Sequence, residues 1–441
     1  MIFNREMETL ARPQLRKLQD KRLRKLALYV YERVPFYKKK FDEWGIQPAD
    51  IKGIADLPKL PFTKKTDLRD TYPFGMFAVP EKKLRRIHCS SGTTGKPTVV
   101  GYTEKDLDLL AEVNARSLAA AGALPGMKLH NAYGYGLFTG GLGLHAGAEK
   151  LGMTVVPVSG GMTNRQLLLI QDFKPEVICC TPSYAQTLAE EFQKRGLLPE
   201  EISLQFAVLG AEPWTEAIRN QVEKGLEVNA TNIYGLSEVI GPGVSQEDVE
   251  EKGSGSHVWE DHFFPEVLHP DSGNPLPEGK DGVLVFTTLT KKAFPLIRYW
   301  TNDICSLHFD AASKRTHVKM SGIKGRADDM LIIRGVNLFH TQVEEVILEI
   351  PQLTPHYQLV VTKEGPLDAI EVRIEVTRDY LQSLGLQKVK LENENLQNLQ
   401  KELIYKLTNS MGLNMKVSLR NSGEIPRSEG GKLNRIVDLR R

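Results

Sequence analysis

The chain has 441 residues, 41% of them hydrophobic, so it can bury a large core, and its length predicts two or three domains rather than one. With 57 basic and 55 acidic side chains the formal net charge is +2, so no global field points to nucleic acid or an anionic membrane, and any polyanion site must be local. The cysteines (Cys89, Cys179, Cys180, Cys305) form no C-x-x-C pair, no apolar run approaches the ~20 residues of a membrane span, and Glu6 and Glu8 stand where a signal peptide would be apolar, so a reducing cytoplasm is expected.

Residues 13–44 are rich in helix formers, with Leu15, Leu18, Leu26 and Tyr29 on one face and many Lys and Arg on the other. Asp20, Glu32, Asp42 and Glu43 interrupt that basic face, which reads as solvated rather than as a nucleic-acid or membrane surface. A short strand over 84–89 then feeds Ser90-Ser91-Gly92-Thr93-Thr94-Gly95-Lys96. Glycines that can take φ > 0 let backbone N–H groups converge, the hydroxyls add donors, and Lys96 adds a compact charge, which together suit phosphate. The spacing is not that of a Walker loop, because two residues rather than four separate the glycines and Pro97 follows the lysine. The bland alternative is a Ser/Thr/Gly surface turn.

A helix over 103–121, strands over 153–158, 177–181 and 206–210, and helices over 184–195 and 214–224 alternate in the way that predicts a mostly parallel α/β sheet. Ligands in such sheets sit at the carboxyl ends of strands, where Gly210-Ala211-Glu212-Pro213 and Asn232-Ile233-Tyr234-Gly235-Leu236-Ser237-Glu238 fall. Tyr234 can stack a purine, and Glu238 can hold Mg²⁺ against phosphates. Gly141-Leu142-Gly143-Leu144-His145-Ala146 matches a dinucleotide fingerprint, but no strand feeds it. With Tyr133, Tyr135 and Phe138 it better suits a wall of close backbone approach against a flat apolar substrate. His257-Val258-Trp259-Glu260-Asp261-His262 gathers imidazoles and carboxylates, and also spells H-x-x-x-D without its usual following glycine. From 282–288 and 304–309 the pattern turns to β without helices, a second lobe. Past Asp328, a strand (330–333), a helix (341–349), strands (357–362, 369–377), a helix (395–409, with Leu396, Leu399, Leu403 and Leu407 in phase) and a strand (415–419) predict a small α+β domain.

These stretches resemble the acyl-adenylate-forming superfamily. Pro61-Phe62-Thr63-Lys64-Lys65-Thr66-Asp67-Leu68-Arg69, Tyr72-Pro73-Phe74-Gly75, the run from Gly134 to Gly143, Trp259-Glu260-Asp261-His262-Phe263 and the run from Gly325 to Asn337 resemble the phenylacetate–CoA ligase family within it. The resemblance implies an enzyme that uses ATP, Mg²⁺ and coenzyme A to convert an aromatic acid to acyl-AMP and then to a thioester; loading a carrier-protein thiol is the alternative acceptor. It implies a helical subdomain over 1–80, an adenylate-forming core over 81–327, and a mobile domain over 328–441 that turns about Asp328. For the nucleotide it implies Ser90, Ser91, Gly92, Thr93, Thr94, Gly95, Lys96, Gly210, Ala211, Glu212, Pro213, Asn232, Tyr234, Gly235 and Ser237, with Asp303 on the ribose and Arg326 assisting. Thr94, Glu238 (through Mg²⁺) and Lys432, in Ile425-Pro426-Arg427-Ser428-Glu429-Gly430-Gly431-Lys432, are the implied catalytic set. The implied acid pocket is Tyr133, Tyr135, Phe138, Gly140, Gly141 and Ala146, the last leaving room for larger arylacetates. Many relatives hold a structural zinc near His257, but Asp248, Ala311 and Ser313 stand where its cysteines would be, so no zinc is expected. A homodimer is implied as well. An oxidoreductase or a non-catalytic nucleotide scaffold is the rival class.

Overall fold

The computed structural model describes residues 1–90, 97–197, 201–327, 331–333, 336–364, 367–428 and 435–440. Among the described residues its largest sheet has nine strands. Thr154–Val156, Lys128–Asn131, Val177–Cys180, Phe206–Gly210 and Asn229–Leu236 run parallel. Gly241–Glu247, Ser256–Val258, Lys319–Met320 and Leu307–His308 then extend the sheet antiparallel. The parallel half follows from helices between its strands: Gly140–Leu151, Thr163–Phe173, Pro182–Arg195 and Glu216–Leu226. Thr181 and Thr215 cap the last two by accepting from Tyr184 N and Ile218 N.

An antiparallel lobe of Phe263–Leu268, Gly282–Thr288, Tyr299–Cys305 and Gly325–Arg326 packs its apolar face into the same core as the N-terminal helices. The expected 13–44 helix is two, Arg12–Arg33 and Pro35–Glu43, because Pro35 cannot continue a helix and starts the next one instead. Its buried face is Leu15, Leu23, Leu26, Ala27 and Val30, while Leu18 and Tyr29 are half-exposed. The C-terminal domain pairs Lys416–Arg420, Leu367–Val376, Leu353–Glu364 and Ile436–Asp438 in that order, with Glu394–Met411 burying Leu396, Leu399, Leu403 and Leu407 in a core of its own.

The main addition to the sequence reading is that the glycine-rich run expected to form a wall of close backbone approach is a helix, Gly140–Leu151. Four glycines in twelve residues lower its propensity, but packing demands them. A Cβ on Gly147 would lie 2.3 Å from Asn114 Cβ, and one on Gly143 would lie 2.7 Å from Pro242 Cγ, so only glycine lets this helix sit against Glu104–Ala120. No helix of the described residues is long and apolar enough to cross a membrane.

Candidate active site

The hairpin Arg86–Ser90/Thr98–Tyr102 carries the phosphate-loop sequence, its ends held together where Ser90 pairs with Thr98. Ser91, Gly92, Thr93, Thr94, Gly95, Lys96, Asp328 and Lys432 lie outside the described residues. Ser90 lines a cavity of about 1290 Å³, larger than the ~300–1,000 Å³ of a single small-ligand pocket. The cavity opens where the parallel strands end, between the antiparallel lobe and the C-terminal domain.

Two strand ends build its floor. After Phe206–Gly210 the chain turns through Ala211 at φ 74°, a left-handed conformation rare for alanine, and Ala211, Glu212 and Pro213 line the cavity. Gly210 does not line it; a Cβ there would lie 2.1 Å from Ile233 O, so this glycine lets the strands approach. From the strand Asn229–Leu236 and the two residues that follow it, Asn232, Tyr234, Gly235, Ser237 and Glu238 all face the cavity. The Tyr234 hydroxyl donates to Asp303 Oδ2 at 2.5 Å, and Arg326, cross-strand from Asp303, reaches Oδ1 at 3.4 Å. Burial first and the Asp303 carboxylate second push the Tyr234 phenol well above its ordinary range, so it stays a donor.

Glu238 is 6% exposed. Its Oε1 accepts from the Tyr299 hydroxyl at 3.2 Å, and Oε2 has no protein partner among the described residues. A buried-edge carboxylate with a spare oxygen, lining the same cavity as Ser90, suits a hard divalent cation such as Mg²⁺. Behind it, the Lys291 ammonium donates to Glu238 O at 3.0 Å and lies 5.2 Å from the ring centroids of both Tyr102 and Phe294. Three buried polar atoms of cavity-lining residues, Ser90 Oγ, Tyr133 Oη and Trp214 Nε1, have no hydrogen-bond partner among the described residues, which fits a polar ligand.

Of the expected acid pocket, Tyr133, Phe138 and Gly140 line the cavity and Tyr135, Gly141 and Ala146 do not. The Tyr135 hydroxyl accepts from Asn131 Nδ2 at 2.8 Å and meets His145 Nδ1 at 3.1 Å, so it ties a strand to the glycine-rich helix. Gly141 O accepts from the same Asn131 amide at 2.8 Å. Thr139, Trp214, Tyr299, His340, Arg435 and Arg440 line the cavity and carried no sequence signal. The last three come from the C-terminal domain. Arg435 pairs with Glu344 at 3.0 Å and lies 4.5 Å above the Tyr357 ring.

Trp259-Glu260-Asp261-His262 is structural. Arg12 pairs with Glu260, and Gln19 Nε2 donates to Glu260 O at 3.1 Å, fixing the first long helix. Asp261 is held by Arg116 at 2.9 Å; burial pushes its carboxyl up, but His262 and Arg116 win and hold it well below its ordinary value. Near His257, Lys319 pairs with Glu251 at 2.7 Å and Asp310 at 2.8 Å, Arg315 pairs with Glu8 at 2.7 Å and with Asp248, and His257 Nε2 meets Ser313 Oγ at 3.1 Å.

The "AMP-binding enzyme" family model matches residues 15–289 and the "AMP-binding enzyme C-terminal domain" model matches 335–440. The chain is 64% identical over 446 aligned residues, covering all of both chains, to phenylacetate-coenzyme A ligase of Thermus thermophilus. The chain belongs to the phenylacetate–coenzyme A ligase family of AMP-binding enzymes. Its similarity to that family's Escherichia coli K12 member is 49%, across 100% of this chain and 99% of that one. Among solved structures, a 2-hydroxyisobutyryl-CoA ligase in the postadenylation state with 2-HIB-AMP superposes with a TM-score of 0.91, at 27% identity over 98% of this chain and 91% of that one. The same ligase with 2-HIB-AMP and CoA in the thioesterification state gives 0.71, over 99% and 92%. The overall arrangement of this chain is thus more similar to the postadenylation structure of that ligase than to its thioesterification structure.

Proposed function

We propose that this chain activates phenylacetate or a related arylacetate with ATP and passes the acyl group to coenzyme A. The observation that carries this reading is full-length identity to phenylacetate-coenzyme A ligases, joined to a cavity with room for a nucleotide and an aryl acid. In the first step a carboxylate oxygen attacks the α-phosphorus of ATP and pyrophosphate leaves, giving acyl-AMP. In the second the thiolate of coenzyme A attacks the acyl carbon and AMP leaves, giving the thioester.

The Tyr234 ring offers a face for adenine, and Asp303 with Arg326 offers the ribose hydroxyls an acceptor and a charge. Asn232, Gly235, Ser237 and the 211–213 turn complete the nucleotide wall. Charge built between two anions in the first step needs donors, and the sequence supplies the 91–96 loop, with Thr94 and Lys96, and Lys432. Glu238, oriented by Tyr299 and Lys291, is the ligand offered to Mg²⁺, which when bound neutralises phosphate charge. Tyr133, Phe138 and Gly140 form the acid's apolar wall, and Tyr135, Gly141 and Ala146 support it from behind. Residues 1–80, 81–327 and 328–441 are the working units, with Asp328 the pivot that removes Lys432 and admits the thiol. Lys319 and Arg315 supply positive charge where relatives hold zinc, so none is needed. A cytoplasmic homodimer completes the proposal.

The test is product analysis with phenylacetate, ATP, Mg²⁺ and coenzyme A. Equimolar AMP, pyrophosphate and phenylacetyl thioester are expected. ADP in place of AMP, or adenylate without thioester, would overturn the reading.

A further inference from the structure

Glu190 sits on Pro182–Arg195, a helix whose capping residue Thr181 lines the cavity; nine residues further along, Glu190 lies about 13 Å down the helix axis and outside the cavity. No step of the proposed chemistry uses it. Yet two side chains of the C-terminal domain converge on this one carboxylate: His356 Nε2 contacts Oε1, and Arg427 Nε lies 3.7 Å from Oε2.

Both partners are held for the purpose. His356 is 4% exposed in its side chain, in the strand Leu353–Glu364, and its N–H donates to Thr354 Oγ1 at 3.2 Å. Arg427 is anchored within its own domain by Glu375, which accepts from it at 2.8 and 2.9 Å. Burial pushes the Glu190 carboxyl up, but His356 and then Arg427 hold it below its ordinary value, so it stays charged against them. Elsewhere the junction includes Thr341 Oγ1 donating to Lys324 O at 2.7 Å, the Phe339 ring seated against Gly325, and Leu348 packed against the apolar cluster under the parallel strands. The contacts on Lys324 and Gly325 adjoin residue 328 and can persist through a rotation there. The Glu190 cluster is remote in sequence from the pivot and must part.

We infer that Glu190 is a positioning residue for adenylation: through His356 and Arg427 it holds the C-terminal domain in the postadenylation arrangement, with His340, Arg435 and Arg440 on the cavity wall. This rests on the proposed ligase reaction. A latch specific to one arrangement stabilises that state alone, so losing it shifts the balance between arrangements rather than harming both.

The experiment measures two rates on the full chain: pyrophosphate release from phenylacetate and ATP without coenzyme A, and thioester formation from supplied phenylacetyl-AMP with coenzyme A. Glu190→Gln keeps the shape and removes the charge. It is expected to slow the first rate by about tenfold, the size of one desolvated charge contact, while the second stays at wild-type level or rises. The retained second rate shows that the variant is folded. His356→Gln should give the same split, and the double variant should be no slower than Glu190→Gln alone, since the contact that His356→Gln removes is already lost in Glu190→Gln. Equal loss in both rates, no change in either, or additive losses in the double variant would overturn the inference. A wild-type chain that releases no pyrophosphate would overturn the ligase reading beneath it instead.

Discussion

Lys291→Met is expected to make the protein more stable and less active. The Lys291 side chain is fully buried, bonded to one carbonyl and flanked by two rings, with no carboxylate in ion-pair reach among the described residues. Burial, only partly offset by Asp106 and Glu238, lowers its pKa from 10.5 to about 8. At about 1.4 kcal/mol per pKa unit, keeping it charged at neutral pH costs the fold about 3 kcal/mol. Methionine fills similar volume without that cost, but forfeits the bond to Glu238 O, about 1 kcal/mol, and the ring contacts, about 0.5–1 kcal/mol. A net gain of about 1–2 kcal/mol remains at pH 7. The sign with pH follows from the protons: between about 8 and 10.5 the unfolded lysine holds a proton that the folded one has released, so wild-type stability rises with pH through that window. The variant's advantage is therefore full below about pH 8 and shrinks towards pH 10.5. Adenylation should fall, because Glu238 loses its backbone anchor, an exchange of stability against function. Urea unfolding at pH 7 and pH 10, with pyrophosphate release alongside, makes the check. A variant less stable than wild type at pH 7, by an amount unchanged at pH 10, would refute the reasoning.

Lys432→Ala should slow adenylate formation by a factor on the order of 10²–10³ while sparing thioesterification of a supplied acyl-adenylate, and Asp328→Pro should do the reverse; equal damage in both half-reactions would show the roles to be misassigned. Gly325→Ala places a Cβ 2.2 Å from Phe339 Cδ1 and should loosen the domain junction, read as a raised rate of proteolysis near residue 328 with the N-terminal core's melting unchanged. Lys319→Met leaves Glu251 and Asp310 without their shared ammonium and should lower the midpoint of urea unfolding, and metal analysis of protein purified without a metal-affinity tag should find no zinc; stoichiometric zinc lost in His257→Ala would contradict that account.

Much of the core was readable because apolar runs were bounded by turn residues. The strands Phe206–Gly210 and Gly282–Thr288 fall where their patterns end, and the helix Glu394–Met411 follows its leucines. The helix Gly140–Leu151 was not readable, since its glycines are set by Asn114 and Pro242, residues distant in sequence. That also explains why Gly140 faces the cavity while Gly141 and Ala146 do not. Asp303 and Arg326 meet as cross-strand neighbours in one sheet, and Tyr234 reaches Asp303 from another. Tyr299 gave no signal, as its role depends on meeting Glu238 across two sheets. His340, Arg435 and Glu190 were illegible for a deeper reason: their neighbours depend on how two domains sit together, which no local pattern encodes.

The most direct test of the account is kcat/KM for pyrophosphate release across a panel of carboxylic acids, with and without coenzyme A. An apolar aromatic wall of Tyr133 and Phe138 predicts that arylacetates exceed acetate and palmitate, with roughly 1–3 kcal/mol for each methylene-sized misfit. Preference for acetate or palmitate, or pyrophosphate release independent of any added acid, would contradict it.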